Sequence, residues 1–283
     1  MDVNLLRPEL KEKYIKLRKI IAGYPNLLVA YSGGVDSAFL LKTAFEVLGN
    51  RVLGVIGISP SLAKRELNEA KSLAEKFNLP YITIETHELE DENYARNPED
   101  RCYYCKKELF TELYDYAREH GFQYVADGTN QDDVGDYRPG RMAAQELKVV
   151  SPLQEAGLTK QDIRELSRFS GLPTWDKPAL ACLSSRFPTG IRVTQEALRQ
   201  VEQAEDYLYS LGFKIIRVRH HKDLARIEVG PNEIARFVDP EVRKKVNEKF
   251  RELGYKFVTL DLAGYRMGSL NQLITVEEKR FEK

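Results

Sequence analysis

The chain has 283 residues, enough for one large domain or two smaller ones, each with a sizeable core. Lys plus Arg balance Asp plus Glu at 43 each, which excludes the general attraction to nucleic acid that a basic chain carries. No apolar run approaches a membrane span and Met1-Asp-Val-Asn-Leu-Leu-Arg-Pro8 contains no hydrophobic signal core, so the expectation is a cytoplasmic protein with no membrane partner. Glu9 to Ala22 has the spacing of an amphipathic entry helix. Leu27-Leu-Val-Ala-Tyr31 is a short apolar run that stops at Ser-Gly-Gly, as a buried parallel strand entering a tight turn would. Asp36 to Leu48 has helical apolar spacing and ends at Gly49-Asn50, a C-cap signal.

The same alternation continues. Val52 to Ile58 predicts a strand, Ala63 to Phe77 a helix, Pro80 to Glu85 a strand, Tyr103 to His120 a helix and Tyr124 to Gly128 a strand. Alternating strands and helices predict an α/β fold with an open, doubly wound parallel sheet, whose ligands bind at the carboxyl ends of the strands. After about residue 185 the pattern changes. Thr194 to Leu211 and Pro240 to Leu253 predict helices, Lys214 to His220 and Leu224 to Val229 alternate as antiparallel strands do, and Phe257 to Asp261 predicts one more strand. The expected organisation is a nucleotide domain over 1–185 and a smaller α+β C-terminal domain over 186–283, serving substrate binding or oligomerisation.

Ser32-Gly-Gly-Val-Asp-Ser37 lies between the first strand and its helix. Ser32, Gly33 and Gly34 allow backbone N–H groups to approach a phosphate, and the helix presents its positive end to the same anion. The Ser32 and Ser37 hydroxyls can donate to phosphate oxygens, and Asp36 can hold Mg²⁺. The simpler reading, a turn capped by Ser and Asp, is weak for so complete a motif in this context. The loop differs from the GxxxxGK[ST] type and resembles the PP-loop of the N-type ATP pyrophosphatases, which make AMP-activated intermediates and release pyrophosphate. Asp127-Gly-Thr-Asn-Gln-Asp-Asp133 follows the fourth strand and should face the same cleft. There Gly128 and Thr129 are candidates for ATP contact and Asp133 for completing the metal site, with an Asx-rich turn as the alternative.

Cys102 and Cys105 form CxxC, and Cys182 stands apart in Lys177-Pro-Ala-Leu-Ala-Cys-Leu-Ser-Ser-Arg186. Three cysteines in a reducing compartment argue against a disulfide framework. Spacing alone leaves three readings open: three ligands of a [4Fe–4S] cluster with one open iron, a structural zinc site, or unrelated thiols.

Several segments together resemble one family, the LarE-type ATP-dependent sulfur transferases. They are SGGVDS, RCYYCK, DGTNQDDVGDYRPG, SPLQEAGLTKQDIRELSR, GLPTWDKPALACLSSRFPTG, RVRHH and LDLAGYRMGSLN, running from Ser32 to Asn271. The resemblance implies Mg-ATP as cosubstrate and a small-molecule partner, pyridinium-3,5-biscarboxylic acid mononucleotide. A carboxylate is adenylated and becomes a thiocarboxylate on the route to a nickel-binding lactate racemase cofactor. In one branch of the family the cysteine matching Cys182 gives up its own sulfur. In the other, three cysteines bind a [4Fe–4S] cluster whose open iron carries sulfide from an external sulfide donor. With the CxxC pair in addition to Cys182, this chain is similar to the cluster branch. By the same resemblance Arg217 and Arg219, on one face of a strand, would grip the mononucleotide phosphate, against the alternative of a solvated strand face. Ser185 and Arg186 would orient the activated substrate near Cys182, with Glu205 as a further substrate-site candidate, and the chain would assemble as a homo-hexamer. The rival readings are a PP-loop tRNA thiolation enzyme, an amide-forming synthetase on the same fold, and a non-enzymatic ATP-binding or iron–sulfur carrier. The neutral charge and small cysteine count weigh against the first, and the cysteines themselves against the second.

Overall fold

The computed structural model describes residues 6–134, 139–178 and 181–266. The chain divides into two compact units, one of residues 1–94 with 99–181 and the other of residues 95–98 with 182–283.

In the first unit the elements run α1 (Pro8–Ala22), β1 (Leu27–Ala30), α2 (Val35–Leu48), β2 (Val52–Ile58), α3 (Lys64–Lys76), β3 (Tyr81–Glu85), the short α4 (Glu92–Ala95) at the boundary, α5 (Arg101–His120) and β4 (Val125–Ala126). The helices α6 (Pro139–Glu146), α7 (Pro152–Glu155) and α8 (Lys160–Phe169) follow. The strands form one parallel sheet in the order β3-β2-β1-β4. Strand order reverses at β1, because β2 and β3 lie on one side of it and β4 on the other. The carboxyl ends of β1 and β4 therefore flank the switch point of the sheet, where such folds bind nucleotides.

Alternation along the strands explains why helices cover both faces. Leu27 and Val29 of β1, with Val52 and Ile56 of β2, join the core formed with α1 and α2, which contains Leu10, Leu17 and Phe39. Leu28 and Val55 point the other way, against Phe110, Leu113 and Ala117 of α5. Two glycines of β2 set the spacing: a Cβ at Gly54 would lie 2.6 Å from Leu41 Cδ2 of α2, and one at Gly57 would lie 2.7 Å from Leu109 Cδ1 of α5. The doubly wound sheet is thus as expected. The fourth strand is shorter than predicted, since only Val125 and Ala126 pair with β1 and Val150 bridges to Ala126 on the outer side. Periodicity did not single out α8, whose start is written in its capping box. The Thr159 hydroxyl accepts from the Asp162 N–H at 3.2 Å and the Asp162 carboxylate accepts from the Thr159 N–H at 3.2 Å.

The second unit contains a 3₁₀ turn (Leu183–Arg186), α9 (Gln195–Ser210), β5 (Ile216–His221), β6 (Leu224–Val229), a 3₁₀ stretch (Pro231–Val238), α10 (Pro240–Glu252) and β7 (Phe257–Leu260). Sheet order is β5-β6-β7, with β5 and β6 antiparallel and β6 and β7 parallel. One sheet face, with Ile216, Val218, Ala225 and Ile227, packs on Leu208, Phe213 and Phe250. The opposite face carries Arg217, Arg219 and His221 from β5 beside Glu228 and Arg226 from β6. Asn97 ties residues 95–98 into this unit by donating from Nδ2 to the carbonyls of Pro188 at 2.8 Å and Ile191 at 3.0 Å. Among the described residues no helix is long and apolar enough to cross a membrane.

Candidate functional site

The loop after β1 is shaped by its own serines and by α3. The Ser32 N–H donates to Ser37 Oγ at 3.1 Å, and the two hydroxyls lie 3.1 Å apart. Gly33 has a φ of +70°, a left-handed conformation that disfavours any residue with a Cβ. A Cβ there would also sit 2.6 Å from that of Ala70. The Tyr31 hydroxyl donates to the Ala70 carbonyl at 2.9 Å, so α3 buttresses the loop from outside. Gly34 is the N-cap of α2 and offers no side-chain cap, which directs the first N–H groups of the helix toward an incoming anion.

The β4 loop meets this one closely. A Cβ on Gly128 would lie 3.0 Å from Ser37 N, so glycine permits the approach. Asp127 is held by hydroxyls from Thr129 at 2.6 Å and Ser151 at 2.8 Å. Asn130 and Asp133 cap each other's backbone across the turn. Asn130 Nδ2 stands 3.5 Å from Asp36 Oδ1. The side chains of Ser32, Asp36, Ser37, Thr129 and Asp133 thus converge on a single cleft of about 570 Å³, with Gly34 and Gly128 beside them, a size suited to a nucleotide. Cys102 and Cys105 line the same cleft from the first turn of α5.

Two lysines that motif reading passed over stand at the loop. The Lys160 ammonium pairs with Asp36 Oδ2. Burial raises the Asp36 pKa and nearby Asp133 adds to the rise, while Lys160 opposes it. Asp36 and Asp133 are hard oxygen donors suited to Mg²⁺ arriving with ATP, and Lys160 places a positive charge at the first of them. Lys177 pairs with Glu69 of α3 at 2.9 Å and approaches the Gly33 carbonyl at 3.4 Å. Lys160 begins α8 directly after its cap, a position that the Thr-Lys-Gln-Asp string could have signalled. Lys177 has no local signal, because its role depends on Arg164 holding the carbonyls of Trp175 at 2.7 Å and Lys177 at 2.8 Å.

The remaining candidates belong to the second unit. Arg186 is buried and forms a two-point pair with Glu205, Nε to Oε1 and Nη2 to Oε2, both at 2.9 Å. Its Nη1 donates to the Cys182 carbonyl at 2.9 Å and to Ser185 Oγ at 3.0 Å. Glu205 also accepts from the Val218 N–H at 2.9 Å, tying α9 to β5. Arg219 is buried against Glu228 at 2.7 Å and donates to the Ser185 carbonyl at 2.9 Å. Arg217 is more open and stacks its guanidinium over the Tyr265 ring at 5.0 Å. The two arginines share a face, as their spacing implies, but their surroundings differ. Cys182, Ser185, Arg186, Glu205 and Arg219 form one connected network, and Arg217 stands outside it on the same strand face. Among the described residues, neither unit by itself assembles three or more His, Cys, Asp or Glu side chains able to hold a metal ion. Gly135 to Arg138, within the β4-loop motif, and Met267 to Asn271, at the end of the LDLAGYRMGSLN segment, lie outside the described residues.

A parallel sheet with a serine–glycine phosphate loop at its switch point and an acidic loop on the next strand defines a PP-loop ATP-utilising enzyme. No family model matches the chain. Over 88% of its length it is 41% identical to the pyridinium-3,5-bisthiocarboxylic acid mononucleotide synthase of Lactiplantibacillus plantarum, covering 90% of that protein. It is 44% identical to an uncharacterised protein of Synechocystis, with 94% of this chain and 99% of the relative aligned. A tRNA-specific 2-thiouridylase of Carboxydothermus hydrogenoformans matches over 56% of the chain and 54% of its own, at 30% identity. The chain belongs to the LarE-type family of ATP-dependent sulfur transferases.

Proposed function

We propose that this enzyme adenylates a carboxylate of pyridinium-3,5-biscarboxylic acid mononucleotide and converts it to a thiocarboxylate, a step in making the nickel-binding nucleotide cofactor of lactate racemase. The observation that carries the reading is that a thiol pair, Cys102 and Cys105, opens onto the cleft that contains the phosphate loop. An amide-forming relative would have no use for it.

ATP docks with its phosphates on Ser32 to Ser37, and Asp36 and Asp133 would hold the Mg²⁺ that accompanies it. A substrate carboxylate oxygen attacks the α-phosphorus, the bond to the β-phosphate bridging oxygen breaks, and pyrophosphate leaves. Activation is needed because a free carboxylate is a poor electrophile. The loop N–H groups, the start of α2, and Lys160 and Lys177 stabilise charge on the departing pyrophosphate. Sulfide then attacks the acyl carbon, AMP departs with the carboxylate oxygen, and a thiocarboxylate remains. Arg217 and Arg219 bind the mononucleotide phosphate, while Arg186, held by Glu205, orients Ser185 and the backbone at Cys182.

Thiolates suit an iron–sulfur cluster, and Cys102 and Cys105 stand one helical turn apart with no disulfide. Cys102, Cys105 and Cys182 would be the ligands of a [4Fe–4S] cluster, which when bound supplies an open iron for inorganic sulfide. The test is anaerobic reconstitution with iron and sulfide. Roughly four irons per chain are expected, lost on replacing any one cysteine with Ala, and added sulfide should support repeated turnover. Dehydroalanine at position 182 after reaction, with activity surviving loss of Cys102 and Cys105, would refute the cluster and leave sulfur transfer standing. The homo-hexameric state that the family resemblance suggests is checked by sedimentation of the reconstituted protein.

A further inference from the structure

The cleft contains a buried acid that the adenylation chemistry leaves unused. Glu88 follows β3, lines the cleft wall and is 2% exposed. The Ser61 hydroxyl donates to its Oε1 at 3.0 Å and the Thr86 hydroxyl to its Oε2 at 2.9 Å. Ser61 is oriented in turn by Ser59, with the hydroxyls 2.8 Å apart and Ser59 Oγ accepting from the Ser61 N–H at 3.1 Å. Among the described residues no lysine, arginine or histidine pairs with Glu88.

A buried acid held only by hydroxyls is costly to maintain, because one neutral hydrogen bond per oxygen compensates lost hydration poorly. Each carboxylate oxygen accepts about two hydrogen bonds, so each has capacity for a further donor. The cleft supplies the direction. Its phosphate end is the loop from Ser32 to Ser37 after β1, two strands away from Glu88, and a carboxylate beside a triphosphate would repel it. Between them the wall is apolar, formed by Ile56, Gly57, Leu62, Leu109 and Phe110. That stretch suits the face of a base, and Glu88 stands at its polar end.

We infer that Glu88 reads the nucleoside of ATP by accepting a hydrogen bond from it. The assignment rests on ATP occupying this cleft, as proposed above. Two groups on ATP supply such a donor on the nucleoside side: a ribose hydroxyl and the 6-amino group of adenine. Both lie away from the phosphates, and 2′-deoxy-ATP, 3′-deoxy-ATP and inosine triphosphate each remove one of the donors. Ser61 and Thr86 act as positioning residues that aim the carboxylate.

The experiment is calorimetric titration of the full-length protein with Mg²⁺ and each of ATP, 2′-deoxy-ATP, 3′-deoxy-ATP and inosine triphosphate. Losing a hydrogen bond to a buried acid should weaken one analogue by roughly 10- to 100-fold relative to ATP. A deoxy analogue as the weak one identifies a ribose hydroxyl, and inosine triphosphate identifies the amino group. Glu88→Gln should then weaken ATP and shrink that ratio to about threefold or less, whereas pyrophosphate affinity stays put. A purely structural role would lower the melting temperature without changing the ratio, and that result overturns the assignment. So does wild-type protein binding all four nucleotides equally, which needs no variant to fold. Failure of ATP itself to bind sinks the nucleotide cleft and this assignment together; bound ATP without discrimination sinks only Glu88.

Discussion

Glu205 offers a test of how the second unit positions Cys182. Its carboxylate is buried, meets the equally buried Arg186 guanidinium at two points of 2.9 Å, and accepts from the Val218 N–H. Glu205→Ala would leave a guanidinium in the interior without its counter-charge and orphan a backbone donor. Breaking a buried pair from one side costs about 3–5 kcal/mol. In a unit of this size that corresponds to a fall of roughly 10–20 °C in melting temperature. The double variant Arg186→Met/Glu205→Leu removes both charges and fills the space with apolar side chains, so it should recover the part of the loss due to the stranded guanidinium, while the Val218 N–H stays without its acceptor. It should not recover sulfur transfer, because Arg186 Nη1 no longer holds the Cys182 carbonyl and Ser185 Oγ. The assays are thermal melting for stability and AMP release against thiocarboxylate formation for function. A Glu205→Ala protein destabilised by under about 1 kcal/mol, the range of an exposed ion pair, would refute the argument from burial. A double variant that transfers sulfur normally would refute the positioning role.

Asp36→Asn should abolish AMP and pyrophosphate release by at least roughly 100-fold in a folded protein, since an amide is a poor ligand for Mg²⁺; near-normal release removes Asp36 from the mechanism. Gly33→Ala should cost about 2–4 kcal/mol and ATP binding, combining a left-handed φ of +70° with a Cβ 2.6 Å from that of Ala70. Adding Ala70→Gly should relieve only the steric part, as read from urea midpoints. Arg217→Ala should weaken the mononucleotide more than ATP with little loss of stability. Arg219→Ala should also lower stability, because it removes one of the two guanidinium partners, Arg219 and Arg226, of the buried Glu228; equal behaviour of the two variants in binding and melting would contradict their different surroundings. Burial lowers the pKa of His220 and, reinforced by Arg226 and Arg219, that of His221 below the ordinary 6.5. The unfolded chain therefore takes up protons first, and stability should fall as pH drops below about 6.5 until the folded-state pKa values are passed. Urea midpoints between pH 7.5 and pH 5 should flatten when both histidines are replaced by Asn.

Local sequence carried the parallel sheet and its phosphate loop because each depends on neighbouring residues. The apolar run Leu27 to Tyr31 makes a buried strand, Ser-Gly-Gly makes the turn, and α2 begins at once, all within a dozen positions. The antiparallel pair β5 and β6 was legible for the same reason, through alternation around a short turn. Spacing could also put Arg217 and Arg219 on one face of a strand. It could not say that Arg219 would be buried against Glu228 while Arg217 stacks on Tyr265, since those partners arrive from another strand and from beyond β7. Lys160, Lys177 and Glu88 went unread for this reason too. Lys160 lies 124 positions from Asp36 in the chain and Lys177 lies 144 from Gly33. Glu88 is close in sequence to Thr86, and only the packing of β2 beside β3 brings Ser61 to its other oxygen and buries it. The sequence by itself determined which backbone could cradle a phosphate. Tertiary structure alone decided which charged side chains surround it, because charge pairing depends on distance in space and on burial, and neither has a local signature.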